Sequence, residues 1–289
     1  MPALIPLLLL ALVMGLLLWE IVWVRGRVNR IPMRIHVVGT RGKSSVTRFI
    51  AAGLRGSGRR VMAKITGVIP TLIEVDGKEA PIHRRGEPRV MEQFRIVGRA
   101  AAARADALVL ECMSISPELQ ELECRHYRPT LCVITTIGDD HQEQLGDDYR
   151  GQVNALRSAI PQNSTVLTYE SPQLPAIREM AQEKHCALLV ADLNVGEIPL
   201  GTPRVNVALA VAACNLAGVP PEQSLTTVRE EARRVRDEVF DIEPCSKFVN
   251  GFAINDVTTA DNFIKYWRSV LPQTRSEERR VGKECRSRW

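Results

Sequence analysis

The stretch RIHVVGTRGKSSV, residues 34–46, decides the fold that this sequence predicts. It begins as a short apolar strand, passes through a turn with two glycines and opens a helix with Lys43, Ser44 and Ser45. The first amides of a helix have no partner within it, so a turn of this kind can wrap a chain of phosphates. Lys43 adds positive charge and Ser44 adds a hydroxyl suited to Mg²⁺. We therefore predict a nucleotide-phosphate site.

This glycine turn is a short form of the phosphate-binding loop. The usual pattern has a further glycine at the position of Val37, so the match is to Gly-Thr-x-Gly-Lys-Ser, residues 39–44. A chance strand-to-helix turn is the alternative. The residues that follow favour a real loop, because Val46, Phe49, Ile50 and Leu54 form the apolar face of an amphipathic helix.

Two further polar groups follow predicted strands. Glu111 closes the apolar strand 107–111, and residues 139–141, Asp-Asp-His, follow the strand 131–136. The carboxyl ends of parallel strands meet at one edge of a sheet, where ligands bind. Carboxylates suit Mg²⁺, and an imidazole suits a second cation. Taken singly, Glu111 reads as a surface residue and Asp139 as a helix cap. Together they predict a site with Lys43, Glu111 and His141 as catalytic residues and Ser44, Glu111 and His141 as metal ligands.

Apolar strands alternate with helical patterns along most of the chain, which predicts an α/β fold with a parallel sheet. A small hairpin flanks Asp76-Gly77. Further strands are predicted at 107–111, 131–136, 165–169 and 187–190, and helices around 91–101 and at 150–160, 174–185, 203–217 and 221–236.

The length of 289 residues allows about two domains. We place a boundary near residue 240, in the stretch 241–244, because a new strand at 247–254 and a helix at 258–270 follow it. The last fifteen residues, 275–289, lack an apolar period and resemble the translation of a sequencing adapter. We therefore expect an artefact tail at 275–289 and a truncated second domain at 241–274. A genuine basic tail is the alternative.

Charge and cysteine content restrict the function classes. The net charge is +5, and residues 275–289 carry six Lys or Arg against three Glu, leaving only +2 on the body, so we expect no nucleic-acid partner. The seven cysteines have no CxxC spacing, which indicates neither a disulfide framework nor a zinc site and fits a reducing cytoplasm.

The N-terminus predicts a membrane anchor. Residues 3–24 are apolar apart from Glu20, and at about 1.5 Å per residue they span about 33 Å, enough for a hydrocarbon core. Arg25, Arg27, Arg30 and Arg34 follow, and no Lys or Arg precedes, so the positive-inside rule places the downstream part in the cytoplasm. A cleaved signal peptide is the alternative, but the basic start and small-residue cleavage site that it needs are missing. We assign residues 1–25 to a single-pass anchor in the cell membrane.

These motifs, in this order, resemble the Mur ligase superfamily, whose members join amino acids through an acyl phosphate made from ATP. Within it, the chain is most similar to the catalytic subunits of poly-γ-glutamate synthases. The likeness is carried by HVVGTRGKSSVTR (36–48), RRGEP (84–88) with Glu92-Gln93, LECMSISPELQ (110–120) and FVNGFAIND (248–256). It implies a Mur-ligase-like ATP-binding domain at 26–240 and a truncated Rossmann-like C-terminal domain.

The resemblance also implies residue roles. ATP would be held by Gly39, Thr40, Arg41, Gly42, Lys43, Ser44 and Ser45, with Asn206 near the adenine. Ser44 and Glu111 would bind one Mg²⁺ and His141 a second, while Asp256 would face the acyl phosphate. Thr136 stands where the superfamily often has Asn, and no Lys lies between Lys78 and Lys184, where many Mur ligases carry a carbamylated lysine. The second departure points away from the peptidoglycan ligases.

The resemblance predicts a membrane-anchored ligase that adds glutamate to a poly-γ-glutamate chain and works with further membrane subunits. Two alternatives stay open. One is a peptidoglycan or folylpolyglutamate type of ligase, and the other is a membrane-tethered nucleotide switch. Arg84, Arg85 and Arg89 form either a contact for an acidic polymer or a solvated loop.

Overall fold

The computed structural model describes the chain between Leu4 and Arg268 with several gaps. The described residues are 4–67, 69–84, 86, 88–114, 116–137, 153–154, 156–199, 202–234, 239–243 and 246–249, with Asp261, Ile264, Lys265, Trp267 and Arg268. His141, Asp256 and the segment 275–289 lie outside the described residues.

Seven helices and ten strands are described in this part of the chain. The helices are α1 (Leu4–Asn29), α2 (Lys43–Gly56), α3 (Met91–Ala102), α4 (Pro117–Tyr127), α5 (Leu174–Glu183), α6 (Arg204–Leu216) and α7 (Pro221–Arg234). The strands are β1 (Met33–Val38), β2 (Val61–Ile65), β3 (Thr71–Ile73), β4 (Glu79–Pro81), β5 (Ala107–Glu111), β6 (Leu131–Ile134), β7 (Thr165–Tyr169), β8 (Ala187–Ala191), β9 (Val239–Glu243) and β10 (Ser246–Val249).

Eight of the strands form one sheet in the order β4-β3-β2-β5-β1-β6-β7-β8. The pairs from β2 to β8 are parallel, and β3 and β4 add an antiparallel hairpin at one edge. The predicted α/β class with a mostly parallel sheet is therefore confirmed. The strand β1 lies between β5 and β6, so the loop after β1 has the ends of both neighbours beside it.

Helices cover both faces of the sheet because the strands are apolar on both sides. On one face, Ile35 and Val37 of β1 pack in a cluster with Ile50 and Leu54 of α2 and with residues of α6 and α7. Most members of this cluster have no exposed surface. Complete burial of such a side chain stabilises the fold by about 1.5–3 kcal/mol, so this packing holds α2 and the start of its phosphate loop against the sheet.

Several elements differ from the sequence prediction. Patterning had not indicated β2, β9 or α4. The strand predicted at 131–136 ends at Ile134, and Thr136 instead forms an isolated bridge with Arg41. In the predicted helix 150–160, the described end is a 3₁₀ turn, Arg157–Ala159.

The proposed boundary near residue 240 falls inside β9, which pairs with β10 in a separate antiparallel ribbon. The assignment of residues 26–240 and 241–274 to two domains stays a prediction.

The first helix is long and apolar enough to cross a membrane by length and composition. It continues beyond the predicted anchor to Asn29, and its apolar side chains up to Trp23 are exposed. Its last turn differs, because Val28 is buried together with Ile31 and packs against Val97 of α3. The helix is therefore joined to the α/β domain by core packing as well as by the chain.

Candidate active site

The phosphate loop, residues 39–42, connects β1 to α2 through two glycines with positive φ angles. Gly39 has φ +132° and Gly42 has φ +83°, a region that other residues rarely adopt. At Gly39 a Cβ atom would lie 3.2 Å from the carbonyl oxygen of Thr136. The turn can therefore follow its path, close against the end of β6, because these two positions lack side chains.

Asn206 of α6 packs directly against this loop. It is buried, and a Cβ atom at Gly42 would lie 2.6 Å from its Oδ1 atom. The resemblance placed Asn206 near the nucleotide, and the fold brings its amide to the start of α2. An amide at this place can both support the loop and hydrogen-bond to a ligand seated on it.

The loop is tied to the end of β6 by hydrogen bonds to one carbonyl. The backbone amides of Thr40 and Arg41 donate to the oxygen of Thr136 at 2.9 and 3.1 Å. The Thr40 hydroxyl donates to the same oxygen at 3.0 Å, and the hydroxyl of Tyr169 donates to Thr136 Oγ1 at 3.4 Å. Thr136, which stands where the superfamily often has Asn, therefore holds the loop through its backbone carbonyl.

Ser44 meets Glu111 across the gap between α2 and β5. Its hydroxyl donates to Oε1 and Oε2 of Glu111, both at 3.0 Å, and the backbone amide of Thr66 donates to Oε2 at 2.7 Å. Glu111 is only 3% exposed, so its carboxylate is held by these donors instead of by bulk water. A serine hydroxyl beside a fixed carboxylate is an oxygen donor set of the kind that Mg²⁺ prefers.

Lys43 folds back onto the loop. Its ammonium group donates to the carbonyl oxygens of Gly39 and Thr40 at 2.8 and 3.0 Å. Lysine is a flexible point charge, so Nζ can exchange these neutral acceptors for phosphate oxygens without a change in the backbone.

A buried polar network lies behind Glu111. The amide group of Gln93 donates to the backbone oxygen of Glu111 at 3.0 Å and to Glu123 at 3.5 Å, and its Oε1 accepts from Lys64 Nζ at 3.0 Å. Lys64 has no exposed surface and also pairs with Glu92 at 2.7 Å. Gln93 therefore connects the backbone of the candidate metal ligand to a buried charge pair.

The pKa values of both Lys64 and Glu92 in this network are lowered, for different reasons. Burial lowers the pKa of Lys64, although Glu92 partly compensates. Burial disfavours the charged form of Glu92, but hydrogen bonds from Arg84 and Lys64 outweigh it and lower the pKa of Glu92 to about 2. The guanidinium group of Arg84 donates two hydrogen bonds to the carboxylate of Glu92, at 2.8 and 2.9 Å. The segment after β4 is thus fastened to the sheet below the site.

On the face of the sheet away from Ser44, His36 pairs with Glu123 at 3.4 Å, and both side chains are buried. Burial raises the pKa of Glu123, but hydrogen bonds from His36 and Ser114 lower it more. The Sγ atom of Cys112 lies beside this pair. Sγ and one potential metal-ligand atom from each of His36 and Glu123 lie within 4.8 Å of one another. This buried polar cluster lies under the site.

The structure thus brings together Lys43, Ser44, Glu111, Asn206 and the loop glycines at the ends of β1, β5 and β6. The predicted roles of His141 and Asp256 concern residues outside the described part of the chain.

Sequence reasoning missed Thr66 as a donor and Gln93 and Lys64 as supports. A lysine inside the apolar run VMAKI of β2 was the available signal.

The arrangement defines a class: a parallel-sheet protein with a glycine loop of the phosphate-binding type at the end of its central strand. Residues 37–198 match the model of the Mur ligase middle domain. This match covers more than half of the chain, which therefore belongs to the Mur ligase family.

Two curated proteins are similar over most of the chain. Capsule biosynthesis protein CapB of Bacillus anthracis is 30% identical over 266 aligned residues, and the match covers 88% of this chain and 57% of that protein. PGA synthase CapB of Bacillus subtilis (strain 168) is 26% identical over 264 residues, 84% of this chain and 64% of that protein. The chain therefore spans less than two thirds of either relative.

Solved structures share the fold. A mutant of L. casei FPGS superposes with a TM-score of 0.61 at 16% identity, covering 88% of this chain and 76% of that one. Mycobacterium tuberculosis folylpolyglutamate synthase complexed with ADP gives a TM-score of 0.60 at 16% identity, covering 83% of this chain and 66% of that one.

Proposed function

We propose that the chain is the ATP-binding part of an amide ligase that forms γ-glutamyl bonds in the synthesis of a poly-γ-glutamate capsule. The contact of Ser44 with Glu111 beside the phosphate loop carries this proposal. It provides oxygen donors of the kind that suit the Mg²⁺ of a bound nucleotide. The names of the two relatives, a capsule biosynthesis protein and a PGA synthase, support the choice of product.

The residues present fit ATP and Mg²⁺. Gly39 and Gly42 allow the loop to turn at positive φ close against Thr136 and Asn206, and the ammonium group of Lys43 lies on the loop, bonded to its carbonyl oxygens. Ser44 and Glu111 would hold the Mg²⁺, and the same resemblance assigns His141 to a second cation. The metal would supply positive charge against the triphosphate.

The chemistry follows from the weak reactivity of a carboxylate. Transfer of the γ-phosphoryl group of ATP to a glutamate carboxylate oxygen releases ADP and makes an acyl phosphate. The amine of the incoming residue then attacks the carbonyl carbon, phosphate leaves, and the amine loses a proton. Lys43 and the first amides of α2 would neutralise phosphate charge, and the loop would orient the triphosphate toward the carboxylate.

We further propose that α1 anchors the protein in the cell membrane with the catalytic part in the cytoplasm, as a subunit of a larger membrane complex. The exposed apolar surface of α1 and the arginines at its end support this placement. In this arrangement the substrates, glutamate and the growing chain, approach from the cytoplasm.

Product analysis tests the function. A complete enzyme that contains this chain, in detergent or nanodiscs, is supplied with ATP, Mg²⁺ and glutamate, and the nucleotide products are separated. We expect ADP whose release depends on glutamate. Release of AMP, or hydrolysis unaffected by glutamate, would contradict the proposal and favour another ligase chemistry or a nucleotide switch. Glu111→Gln removes the charge of the proposed metal ligand and should abolish the glutamate-dependent release of ADP, whereas the matched control Glu179→Gln, an exposed change on α5, should not.

A further inference from the structure

A second concave site lies at the edge of the sheet opposite the phosphate loop. This cleft has a volume of about 930 Å³ and is bordered by the residues that begin four parallel strands. They are Arg34 in β1, Thr130 before β6, Thr165 in β7 and Ala187 in β8. The phosphate loop, which follows β1, lies at the opposite ends of these strands. The six residues of β1, at about 3.3 Å each, separate the two sites by about 20 Å.

The cleft is positively charged. Arg34, Arg125, Arg128 and Lys184 line it, and Glu121 is the single acid among the lining residues. Glu121 forms an exposed pair with Arg125 at 2.6 Å, which leaves three uncompensated positive charges. A concave surface with charges of one sign concentrates ions of the other sign.

Arg34 is fixed in position at the rim of this cleft. Its Nε atom donates to the backbone oxygen of Arg128 at 2.7 Å, and one terminal nitrogen donates to that of Ile31 at 2.6 Å. Burial lowers the pKa of Arg34, but a guanidinium keeps its charge at neutral pH. The remaining N–H groups of this preorganised fork suit the oxygens of a phosphate.

The position of α1 places this edge beside the membrane. Arg34 follows Asn29, the last residue of α1, by five positions, and the buried Val28 and Ile31 fasten this junction to the domain. Arg27 near the end of α1 lies over the ring of Trp23 at 3.3 Å. Tryptophan with arginine is typical of a helix end at the headgroup level.

We propose that the cleft binds the phosphate headgroup of an anionic phospholipid of the phosphatidylglycerol class. This inference rests on the membrane placement of the proposed function and goes beyond it. A bound headgroup would fix the sheet with its catalytic edge turned away from the bilayer. An acidic polymer would suit the charge of the cleft, but the distance from the phosphate loop and the nearness of α1 favour the lipid.

Lipid retention tests this site. The full chain is placed in nanodiscs of phosphatidylcholine alone or of an equimolar mixture with phosphatidylglycerol, without ATP or glutamate. Bound lipid is counted by native mass spectrometry, and hydrogen exchange is followed at residues 162–165 and 184–187. The test variant is Arg128→Asn with Lys184→Gln, since asparagine accepts the positive φ of 51° at Arg128. The control is Lys78→Gln with Arg95→Gln, which removes the same charge outside the cleft.

We expect wild type and control to retain phosphatidylglycerol and to show protection of the cleft only in its presence. The test variant should bind it roughly thirtyfold more weakly, because each basic residue near a membrane contributes about 1 kcal/mol. Equal retention by the test variant, equal loss in the control, or equal protection in phosphatidylcholine would overturn the proposal. Displacement of the lipid by a soluble poly-γ-glutamate oligomer would assign the cleft to the polymer instead.

ATP binding is measured in parallel and should be the same in all variants. Lipid retention without ATP binding would reject the proposed function alone, and ATP binding without lipid retention would reject this inference alone.

Discussion

The hydroxyl oxygen of Ser44 lies 3.0 Å from each carboxylate oxygen of Glu111, although 67 positions separate the two residues in the chain. The contact exists because β1 and β5 are adjacent and parallel, so the loop after one strand faces the last residue of the other. It links the phosphate loop to a buried carboxylate and gives the site its oxygen donors.

The first prediction concerns the Ser44 hydroxyl. Ser44→Ala removes one oxygen donor and leaves the loop amides in place, so we expect ATP binding to lose most of its dependence on Mg²⁺. Ser44→Thr keeps a hydroxyl and should restore it. Calorimetric titration of ATP with and without Mg²⁺ measures the difference. If the alanine variant responds to Mg²⁺ as the wild type does, Ser44 is no metal ligand.

The second prediction concerns Gln93, which supports Glu111 from behind. Gln93→Leu removes the side-chain hydrogen bonds to the Glu111 carbonyl oxygen and to Lys64, and we expect Mg²⁺ affinity to fall by roughly 10- to 100-fold. Gln120→Leu is the matched control, since Gln120 is equally buried at 2% exposure and its amide donates to Ser114 instead.

Either of these changes should lower the free energy of unfolding by about 1–3 kcal/mol, as for any buried polar group left unsatisfied. Only the change at Gln93 should alter Mg²⁺ affinity. Equal affinities in both variants would mean that Gln93 is merely structural.

The third prediction concerns the glycine beside Asn206. Gly42→Ala places a Cβ atom at positive φ and 2.6 Å from the Asn206 side chain, so ATP affinity should fall sharply. Gly58→Ala has nearly the same φ, +85° against +83°, but no atom within 4 Å of the added carbon. Both should be destabilised by about 1–2 kcal/mol in urea unfolding. Only Gly42→Ala should lose ATP affinity. A similar ATP affinity in both variants would show that the contact with Asn206 has no role in ATP binding.

The fourth prediction concerns acid stability. The pKa of Glu92 is about 2 in the folded protein against 4.5 as its ordinary value, because Arg84 and Lys64 hold its charged form. A carboxyl group whose pKa is lowered in the folded state stabilises the fold at pH values above its ordinary pKa. This contribution is lost as pH falls from about 4.5 to 2. Glu92→Gln should therefore flatten the fall of unfolding free energy in that window, whereas Glu179→Gln should leave it steep. An unchanged slope in Glu92→Gln would contradict the assignment.

Much of the fold could be predicted from local patterns. The apolar strands around residues 107–111 and 165–169 and the glycine loop have strong periods and turn signals, and the structure contains them at these places. β2 was missed because Lys64 interrupts its apolar run. The burial of Lys64 depends on its contacts with Glu92 and Gln93, which lie far along the chain. No local pattern reveals these contacts.

The site was predictable to the extent that strand ends converge. Glu111 was selected because an apolar run ends on a carboxylate, and the fold brings it to Ser44. The donors that hold it were not predictable, since the Thr66 amide is a backbone group and Gln93 approaches from α3. α4 was also missed, although Ser116 caps its first turn and Pro117 begins it.

The central claim is that a glutamate carboxylate takes the γ-phosphoryl group of ATP at this crevice. The most direct measurement uses glutamate whose carboxylate oxygens carry the heavy oxygen isotope, and follows the isotope by mass spectrometry of the released phosphate. The account predicts one labelled oxygen in the phosphate for each amide formed, and none with Ser44→Ala. Amide formation that yields unlabelled phosphate would contradict the acyl-phosphate mechanism.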